Sequence, residues 1–219
     1  MRIWPLVIVP ITRYFRARRG KMILQLFPDI GSYRICDLGG SIHFWHSVGL
    51  PVPPENIEIL NLSKAAVDAA VEGLGAAAPT GIRVNLYDGK HIPRPDKHYD
   101  LLICNSVIEH VQFEHRRPLV EEMLRVARRV FLQTPAWEFP VDPHFLMPLI
   151  HWLPKRVGFR LAGISPWRIL SRPSKGTISE YFYETNLLSQ RKLRELFPEA
   201  TLIMEKSLGM TKSYCAVVK

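Results

Sequence analysis

Cysteine is scarce in this sequence. Its 219 residues include only Cys36, Cys104 and Cys215, which are widely spaced and form no CxxC pair. This pattern argues against a disulfide framework and against a cysteine-ligated zinc cluster, and it favours a reducing, cytoplasmic environment. A chain of this length can bury a substantial apolar core without such links.

Long hydrophobic runs are also missing. The apolar stretch from Ile3 to Ile11 is interrupted by Pro5 and Pro10 and is followed by arginines. A membrane-spanning helix needs roughly 20 apolar residues, and a signal peptide ends in a cleavage site of small residues. We therefore expect neither a transmembrane helix nor a signal peptide.

Acidic residues are absent from two segments, residues 1–28 and 143–179, which together carry 12 of the 29 lysines and arginines. The net charge of +9 therefore belongs to two basic patches, which suit phosphates, anionic lipid headgroups or acidic ligands. A solvated cationic face without a partner is the alternative. The basic and aromatic stretch from Ile11 to Phe27 suits a peripheral contact with the inner face of a membrane or a helix that caps a ligand cleft, and we favour the cap.

A GxGxxG fingerprint is missing as well, which argues against a dinucleotide such as NAD or FAD. The sequence instead alternates short apolar runs with helical patterns. This alternation predicts an α/β fold, a doubly wound Rossmann-like sheet of seven mostly parallel strands closed by an antiparallel strand pair. Strands are predicted at Ile35–Leu38, Ile57–Leu60, Ile82–Leu86, Tyr99–Cys104, Val130–Leu132, Thr201–Ser207 and Ser213–Val218.

Helical patterns lie between these strands. An alanine-rich helix is predicted at Ala65–Val71 and a C-terminal helix at Ser189–Phe197. A further helix is predicted to open at Pro118, because proline is favoured at the first helical position. Its outer side would carry an ion pair between Glu121 and Arg125.

Small and polar residues follow four consecutive predicted strands. In an open α/β sheet, ligands bind beyond the carboxyl ends of the strands. The two glycines after the first strand allow a tight turn beside a helix start, and Asn61 stands where a dinucleotide fold places its ribose-binding acid. Simple turns also use such residues, but their recurrence at four strand ends favours a ligand site. The residues are Asp37, Gly39, Gly40, Ser41, Asn61, Asp88, Gly89, Asn105 and Ser106.

The ordered strings ICDLGG, IEILNLS, LYDG and YDLLICNSVIEHV resemble the motif set of class I S-adenosylmethionine-dependent methyltransferases, in the branch called type 11. The resemblance covers residues 33–132 and the closing strand pair. It implies a methyltransferase of class EC 2.1.1 with S-adenosylmethionine as cofactor. The DLGG loop, the following Phe44 and Trp45, and the NL strand end are also similar to bacterial enzymes from polysaccharide and glycolipid loci.

The resemblance implies a role for each residue at the strand ends. The loop of Asp37, Gly39 and Gly40 would hold the methionine part, Asn61 the ribose hydroxyls, and Leu62 and Asp88 the adenine, while Asn105 and Ser106 would border the sulfonium and methyl group. Ser41 and Gly89 are also predicted to bind the cofactor. Two positions depart from the family pattern: Ser41 replaces the third glycine of the loop, and Asn61 replaces the usual ribose-binding acid.

The whole chain, residues 1–219, is predicted to form one methyltransferase domain. Residues 1–32 would form an N-terminal arm or cap, and residues 33–134 the cofactor-binding core. Residues 135–180 are rich in Pro, Trp and Arg and would form a substrate-facing insert without clear periodicity. Residues 181–219 would supply a C-terminal helix and the closing strand pair.

Four residues are candidates for catalysis. A hydroxyl is a poor nucleophile at neutral pH, so its methylation benefits from a general base or from a metal ion that lowers its pKa. Glu109 and His110 follow the fourth strand, and Asp142 and His144 follow the fifth. Asp142 would orient His144 as a base, or the two would bind a cation such as Mg²⁺. The alternative roles are a packed histidine for His110 and, for Asp142, a helix cap beside a solvated His144.

The acceptor is predicted to be a hydroxyl of a small-molecule saccharide, oligosaccharide or glycolipid. The insert supplies aromatic faces and arginines that suit sugars and anionic groups, namely Trp137, Trp152, Trp167, Arg160 and Arg168. A lipid or quinone acceptor and RNA remain alternatives, although no RNA-binding module or NPPY-like clamp favours nucleic acid. A noncatalytic cofactor-binding protein is the alternative of another class.

Overall fold

The computed structural model describes residues 4–64, 67–68 and 81–219. Its strands, numbered in chain order, are β1 (Ile35–Leu38), β2 (Ile57–Asn61), β3 (Arg83–Leu86), β4 (Leu101–Asn105), β5 (Val130–Pro135), β6 (Val141–Asp142), β7 (Met147–Pro148), β8 (Thr201–Ser207) and β9 (Met210–Val218). Its helices are α1 (Trp4–Leu26), α2 (Ile42–Val48), α3 (Phe113–Val126), α4 (Lys155–Ala162), α5 (Pro166–Ser171), α6 (Lys175–Glu184) and α7 (Gln190–Leu196).

Seven strands form one sheet in the order β3-β2-β1-β4-β5-β9-β8. Strands β1 to β5 pair in parallel, whereas β9 pairs antiparallel with both β5 and β8. The predicted mixed α/β sheet with an antiparallel closing pair is therefore confirmed. The carboxyl ends of β1 to β5 share one edge of the sheet, so the polar residues that follow these strands are gathered there.

The position of each strand in the sheet accounts for its burial. Every residue of β1, β2 and β5 is buried, as expected for central parallel strands covered by helices on both faces. Strand β3 lies at an edge and is largely exposed. The β8–β9 hairpin turns through Leu208 and Gly209, whose φ angles of 51° and 79° fit a type I′ turn.

Two apolar layers cover the sheet. On one face, Ile23 of α1 and Trp45 of α2 belong to a cluster with strand residues such as Phe131. On the other face, Met123 of α3 and Leu193 of α7 belong to a second cluster. The sheet is thus doubly wound. Within the described ranges, no helix combines the length and apolarity that crossing a bilayer requires.

Helix α3 begins at Phe113, so the prediction that Pro118 opens this helix is wrong. The additional N-terminal turn is anchored by Arg116, which is 3% exposed and donates hydrogen bonds to the carbonyl oxygens of Val111 and Asn186 at 2.9 and 2.8 Å. These bonds offset the single backbone hydrogen bond that Pro118 removes. The predicted helix at Ala65–Val71 lies, apart from residues 67–68, outside the described residues.

The predicted partner of Arg125 is also wrong. Arg125 binds Glu122 at 2.6 Å and Asp96 at 2.9 Å, instead of Glu121. Glu122 is held in place because its Oε1 also accepts a hydrogen bond from the Ile92 N–H at 2.7 Å. A tertiary contact therefore decides which neighbouring acid pairs with the arginine.

The insert contains regular structure that its sequence conceals. It folds into the short β6–β7 hairpin and helices α4, α5 and α6 around a small apolar cluster that includes Phe145, Ile150 and Phe182. Ser165 and Ser174 cap α5 and α6 by accepting backbone N–H hydrogen bonds. These helices are too short for their periodicity to stand out, but the two serine caps are signals present in the sequence.

Candidate active site

A cavity of about 500 Å³ lies at the carboxyl ends of β1, β4 and β5. Its volume falls within the range typical of small-molecule sites, roughly 300 to 1,000 Å³. Its position is the one where open α/β sheets bind ligands. Its wall consists of Phe15, Arg16, Arg19, Asp37, Gly39, Gly40, Ser41, Phe44, Asn105, Ser106, Gln133, Pro135, Phe139, Val141, Pro143, His144, Leu146, Lys212 and Ser213.

The loop after β1 is shaped around the Asp37 carboxylate. Asp37 is 1% exposed, and its Oδ2 accepts a hydrogen bond from the Trp45 indole N–H at 2.8 Å. Its Oδ1 has no hydrogen-bond partner among the described residues. Burial raises the pKa of Asp37 to about 7, although the Trp45 hydrogen bond opposes the shift. The unpartnered oxygen belongs to a residue of the cavity wall, where a ligand cation would relieve this cost.

Both glycines of this loop occupy positions that a side chain would disturb. Gly39 has a φ of +70°, and a Cβ there would lie 2.6 Å from the Val107 side chain. A Cβ on Gly40 would lie 1.8 Å from the Asp37 carboxylate. Glycine is therefore required at both positions because the loop packs closely against Val107 and the Asp37 carboxylate.

Helix α1 reaches the same cavity through Arg19. Its guanidinium donates from Nε and Nη2 to the two Glu205 carboxylate oxygens at 3.1 and 2.7 Å, and from Nη1 to Asn105 Oδ1. The Ser213 hydroxyl also donates to Glu205. Burial opposes ionisation of Glu205, but the charge and hydrogen bonds of Arg19 outweigh it and lower the pKa of Glu205. This buried network joins α1 to β4, β8 and β9.

Two further cations contribute to the cavity wall. Arg16 donates to the Ser47 hydroxyl at 3.2 Å, and the Lys212 ammonium lies 3.8 Å from the centre of the Phe15 ring. Burial, together with the nearby charge of Arg19, lowers the pKa of Lys212. The part of the cavity wall that contains Arg16 and Lys212 therefore favours an anionic ligand group.

Ser106, at the end of β4, has an uncommon backbone conformation. Its φ is +56°, and its hydroxyl donates to Gln133 Oε1 at 3.0 Å while its N–H donates to the Gln133 carbonyl at 2.9 Å. Such conformations persist where surrounding contacts impose them, and they cluster at ligand sites.

A group of titratable side chains surrounds His144. Glu109 lies in a 3₁₀-helix at Ile108–His110 and is fully buried, with its Oε1 3.9 Å from His144 Nε2. On the other side, Asp142 Oδ1 lies 3.4 Å from His144 Nδ1. The His110 ring meets the His144 ring edge to face, with centroids 5.0 Å apart. Two carboxylates and a second imidazole therefore surround one histidine of the cavity wall.

The environment sets the protonation of this group. Burial raises the pKa of Glu109, against the opposing charge of His144, and burial together with His144 lowers the pKa of His110 to about 4. Burial also opposes ionisation of Asp142, but contacts with His144 and the N–H groups of residues 144 and 145 leave the pKa of Asp142 below its usual range. Asp142 is therefore ionised and His110 is neutral at pH 7.

One protein family matches part of the chain. Residues 42–130 match the family described as a methyltransferase domain. No curated protein matches the sequence.

Solved structures share the fold of this chain. A SAM-dependent methyltransferase from Aquifex aeolicus is 13% identical with a TM-score of 0.55, covering 90% of this chain and 87% of that one. Magnesium protoporphyrin IX methyltransferase from Synechocystis, with bound SAH, is also 13% identical with a TM-score of 0.55, covering 95% and 84%. The PH0226 protein from Pyrococcus horikoshii is 15% identical with a TM-score of 0.58, covering 94% and 88%. At these identities the likeness establishes the fold alone.

Half of the predicted site residues, seven of fourteen, lie in the wall of this cavity. Those in the wall are Asp37, Gly39, Gly40, Ser41, Asn105, Ser106 and His144. Asn61 is buried beside the loop and donates to the Gly40 carbonyl at 3.4 Å, so it supports the loop and is not part of the wall. Asp142 and Glu109 contact His144 from outside the wall.

The residues predicted to hold adenine lie away from this cavity wall. Leu62 is 61% exposed, and a Cβ on Gly89 would lie 2.9 Å from its side chain, so the ends of β2 and β3 adjoin. The Asp88 carboxylate accepts the N–H groups of Lys90 and His91. Their predicted role in binding adenine stays a prediction.

Sequence reasoning missed Arg19, Arg16 and Lys212 as individual residues of the site. The basic N-terminal segment was a signal for the first two, since one interpretation placed it as a cap over a ligand cleft. Lys212 gave no local signal. Glu138, which also follows β5, accepts hydrogen bonds from Tyr214 and from the N–H of Gln190 and so fastens the insert to the domain.

A second cavity of about 520 Å³ lies behind the His144 group. Asp142 lines this cavity whereas the adjacent Pro143 and His144 line the first, so one segment forms part of both walls. Trp137, Lys155 and Lys192 are among the residues that line it.

The residues present at the first cavity fit the methionine end of S-adenosylmethionine. The unpartnered Asp37 carboxylate oxygen suits an ammonium group, and Arg16 and Lys212 suit a carboxylate. Gly39, Gly40 and Ser41 of the loop line the same cavity. The donor set therefore matches both charges of an amino-acid ligand.

Proposed function

We propose that this chain is a methyltransferase that transfers the methyl group of S-adenosylmethionine to a hydroxyl of a saccharide or glycolipid. The observation that carries the proposal is the position of His144, in the wall of the cofactor cavity and between the carboxylates of Asp142 and Glu109. Such a flanked histidine is the arrangement that hydroxyl methylation needs and that a more nucleophilic amine acceptor would not require.

The chain's residues orient the cofactor for an in-line displacement. Asp37 would receive the ammonium group of the methionine part, and Arg16 and Lys212 would bind its carboxylate. Asn105 is held by Arg19 and Ser106 by Gln133, and both would border the reacting methyl group. Bound S-adenosylmethionine supplies an electrophilic methyl carbon, which the acceptor oxygen attacks as the carbon–sulfur bond breaks and its electron pair passes to sulfur.

His144 takes up the proton that the acceptor hydroxyl loses. Asp142, ionised at pH 7, orients the ring through Nδ1 and stabilises the imidazolium that forms. Nε2 then faces the acceptor, with Glu109 nearby. A positioned base of this kind typically contributes about 10²- to 10⁴-fold to the rate.

The second cavity supports a saccharide acceptor. Trp137 lines this cavity, and its ring lies 5.9 Å from that of the neighbouring Trp152; the two side chains are 44% and 43% exposed. The Trp152 indole N–H donates to the Trp137 carbonyl at 2.9 Å, which fixes the pair. Exposed aromatic faces suit the C–H surfaces of sugars. Lys155 and Lys192 in the same cavity favour an acceptor that carries an acidic group.

A lipid or quinone acceptor is the second candidate, and one observation favours it. The exposed side of α1 presents Arg13, Tyr14 and Lys21, a combination that suits an anionic membrane surface. Arg19 of the same helix is buried and does not contribute. A peripheral contact through α1 would bring the cavity close to a lipid-linked acceptor.

A methyl-transfer screen tests the proposal. Purified protein and tritiated S-adenosylmethionine are incubated with panels of neutral saccharides, acidic saccharides, glycolipids, quinones and RNA. We expect transfer to a saccharide or glycolipid that falls at least about 100-fold in His144→Ala and is unchanged in His115→Ala, an exposed histidine of α3. Transfer to a quinone or RNA alone, or S-adenosylhomocysteine binding with no transfer to any panel, would contradict it.

A further inference from the structure

Three side chains with metal-ligating atoms converge beside the cofactor cavity. Glu109, His110 and His144 place one carboxylate oxygen and two imidazole nitrogens within 4.8 Å of one another. Glu109 is fully buried, and its Oε1 finds no hydrogen-bond partner in the described part of the chain. This oxygen lies 3.9 Å from His144 Nε2. A buried carboxylate oxygen is costly to leave without a partner, and a cation between these atoms would supply one.

Glu109 and His110 each have a second partner that fixes their orientation, and His144 has a neighbouring carboxylate. Glu109 Oε2 accepts a hydrogen bond from the Thr134 hydroxyl at 3.0 Å, and His110 Nδ1 lies 3.3 Å from the Thr185 hydroxyl. His144 Nδ1 faces the Asp142 carboxylate at 3.4 Å. Histidines that bind metals are commonly held in this way through their other nitrogen, by a carboxylate or a hydrogen-bonding oxygen.

We propose that Glu109, His110 and His144 bind a divalent transition-metal cation, Zn²⁺ or one with similar ligand preferences. Two imidazoles and one carboxylate, with a position left open, are the donor set of catalytic zinc sites, whereas Mg²⁺ prefers oxygen ligands. Two ligands that are each about 2.1 Å from a metal lie at most about 4.2 Å apart, so the group closes on a cation through small side-chain rotations. The ligands come from the segment after β4 and from the β6–β7 turn.

This assignment replaces the Mg²⁺ pair predicted from the sequence, Asp142 and His144. Asp142 Oδ1 accepts the N–H groups of His144 and Phe145 at 2.8 and 3.2 Å, so that oxygen is already engaged. Asp142 is therefore a positioning residue that holds the His144 ring from the side away from Glu109.

The catalytic role of this metal site rests on the proposed function, in which an acceptor hydroxyl is methylated. His144 lines the cofactor cavity, so a cation held there lies next to the position of the acceptor hydroxyl. A divalent cation lowers the pKa of a hydroxyl beside it, which raises the fraction of the oxygen nucleophile at neutral pH. A bound cation would replace the base role of His144 in the proposed function: His144 would then be a ligand, and the proton of the acceptor hydroxyl would pass to solvent.

Metal binding is tested without any acceptor, by titrating the purified metal-free chain with ZnCl₂ or MgCl₂ in a calorimeter. We expect Zn²⁺ to bind more tightly than Mg²⁺ with one equivalent per chain. Asp142→Asn should weaken Zn²⁺ binding by about 10- to 100-fold, and Glu109→Gln and His110→Asn should weaken it more. His115→Asn, an exposed histidine of α3, is the matched control and should bind as the original chain does.

Each outcome decides the proposal. S-adenosylhomocysteine affinity and circular dichroism show which variants fold. If either Glu109→Gln or His110→Asn fails to fold, the other still tests the site. Absence of Zn²⁺ binding, equal affinity in His110→Asn and His115→Asn, or preference for Mg²⁺ would overturn the site. Methyl transfer that survives a chelator, in a chain that binds no Zn²⁺, would overturn the metal and leave the proposed function standing.

Discussion

The buried ion pair between Arg19 and Glu205 gives the sharpest prediction about how the N-terminal helix is held. Both side chains are 6% exposed, and two hydrogen bonds at 3.1 and 2.7 Å join them. Arg19→Met leaves the Glu205 carboxylate buried without its cation. Breaking such a pair typically costs about 3 to 5 kcal/mol, so the free energy of unfolding should fall by that amount.

Urea denaturation measures this loss, and Arg18→Met is the matched control. Arg18 is the preceding residue, is exposed, and makes one hydrogen bond to the Lys206 carbonyl at 3.3 Å. Its substitution should change stability by less than about 0.5 kcal/mol. Replacing Arg19 and Glu205 together by methionine should recover most of the stability, because no buried charge is then left alone. S-adenosylhomocysteine affinity should also fall in Arg19→Met, since Asn105 loses its support.

The pH dependence provides a second check. The folded-state pKa of Glu205 is lowered, so its contribution is present above the unfolded pKa of about 4.3 and is lost as pH falls through the folded value. The stability difference between the original chain and Arg19→Met should therefore be constant near neutral pH and shrink in acid. A loss in Arg19→Met within about 1 kcal/mol of the Arg18→Met value would refute the reasoning.

Three further predictions concern the cavity. Because the pKa of Asp37 is about 7 and only the carboxylate attracts an ammonium group, S-adenosylhomocysteine binding should weaken about tenfold between pH 8 and pH 6, and calorimetry should find this dependence absent in Asp37→Asn. Gly39→Ala should reduce that affinity at least tenfold, whereas Gly49→Ala, with a similar φ of +72° and open space around its Cβ, should leave it unchanged. His144→Ala should lower kcat at least about 100-fold with near-normal S-adenosylhomocysteine affinity, and equal rates would reduce the histidine to a structural role.

The strands were predictable because each corresponds to a short, mainly apolar run of the sequence. Ile35–Leu38 and Ile57–Asn61 are short, mainly apolar segments whose residues are all buried. Such segments are typical of central parallel strands and can be recognised without knowledge of their tertiary contacts. The start of α3 was not predictable in this way, because the tertiary bonds of Arg116 decide it. The short helices of the insert were missed for want of periodicity, although their serine caps were visible.

The site residues that directly follow strands were predictable, whereas those that depend on tertiary contacts were not. The loop at Asp37 and the residues after β4 follow strands directly, so topology alone brings them together. Arg19 pairs with Glu205 across 186 positions of sequence, a contact that no local pattern encodes. Asp142 and His144 were recognised from their chemistry, but their meeting with Glu109 depends on how the insert folds back over the sheet.

The central claim is that the cavity between α1 and the glycine loop binds the methionine end of S-adenosylmethionine. A crystal structure with S-adenosylhomocysteine tests it most directly. The account predicts the ligand's ammonium group within hydrogen-bonding distance of Asp37 Oδ1 and its carboxylate beside Arg16 and Lys212. Ligand density in another part of the molecule, with this cavity holding only solvent, would contradict it.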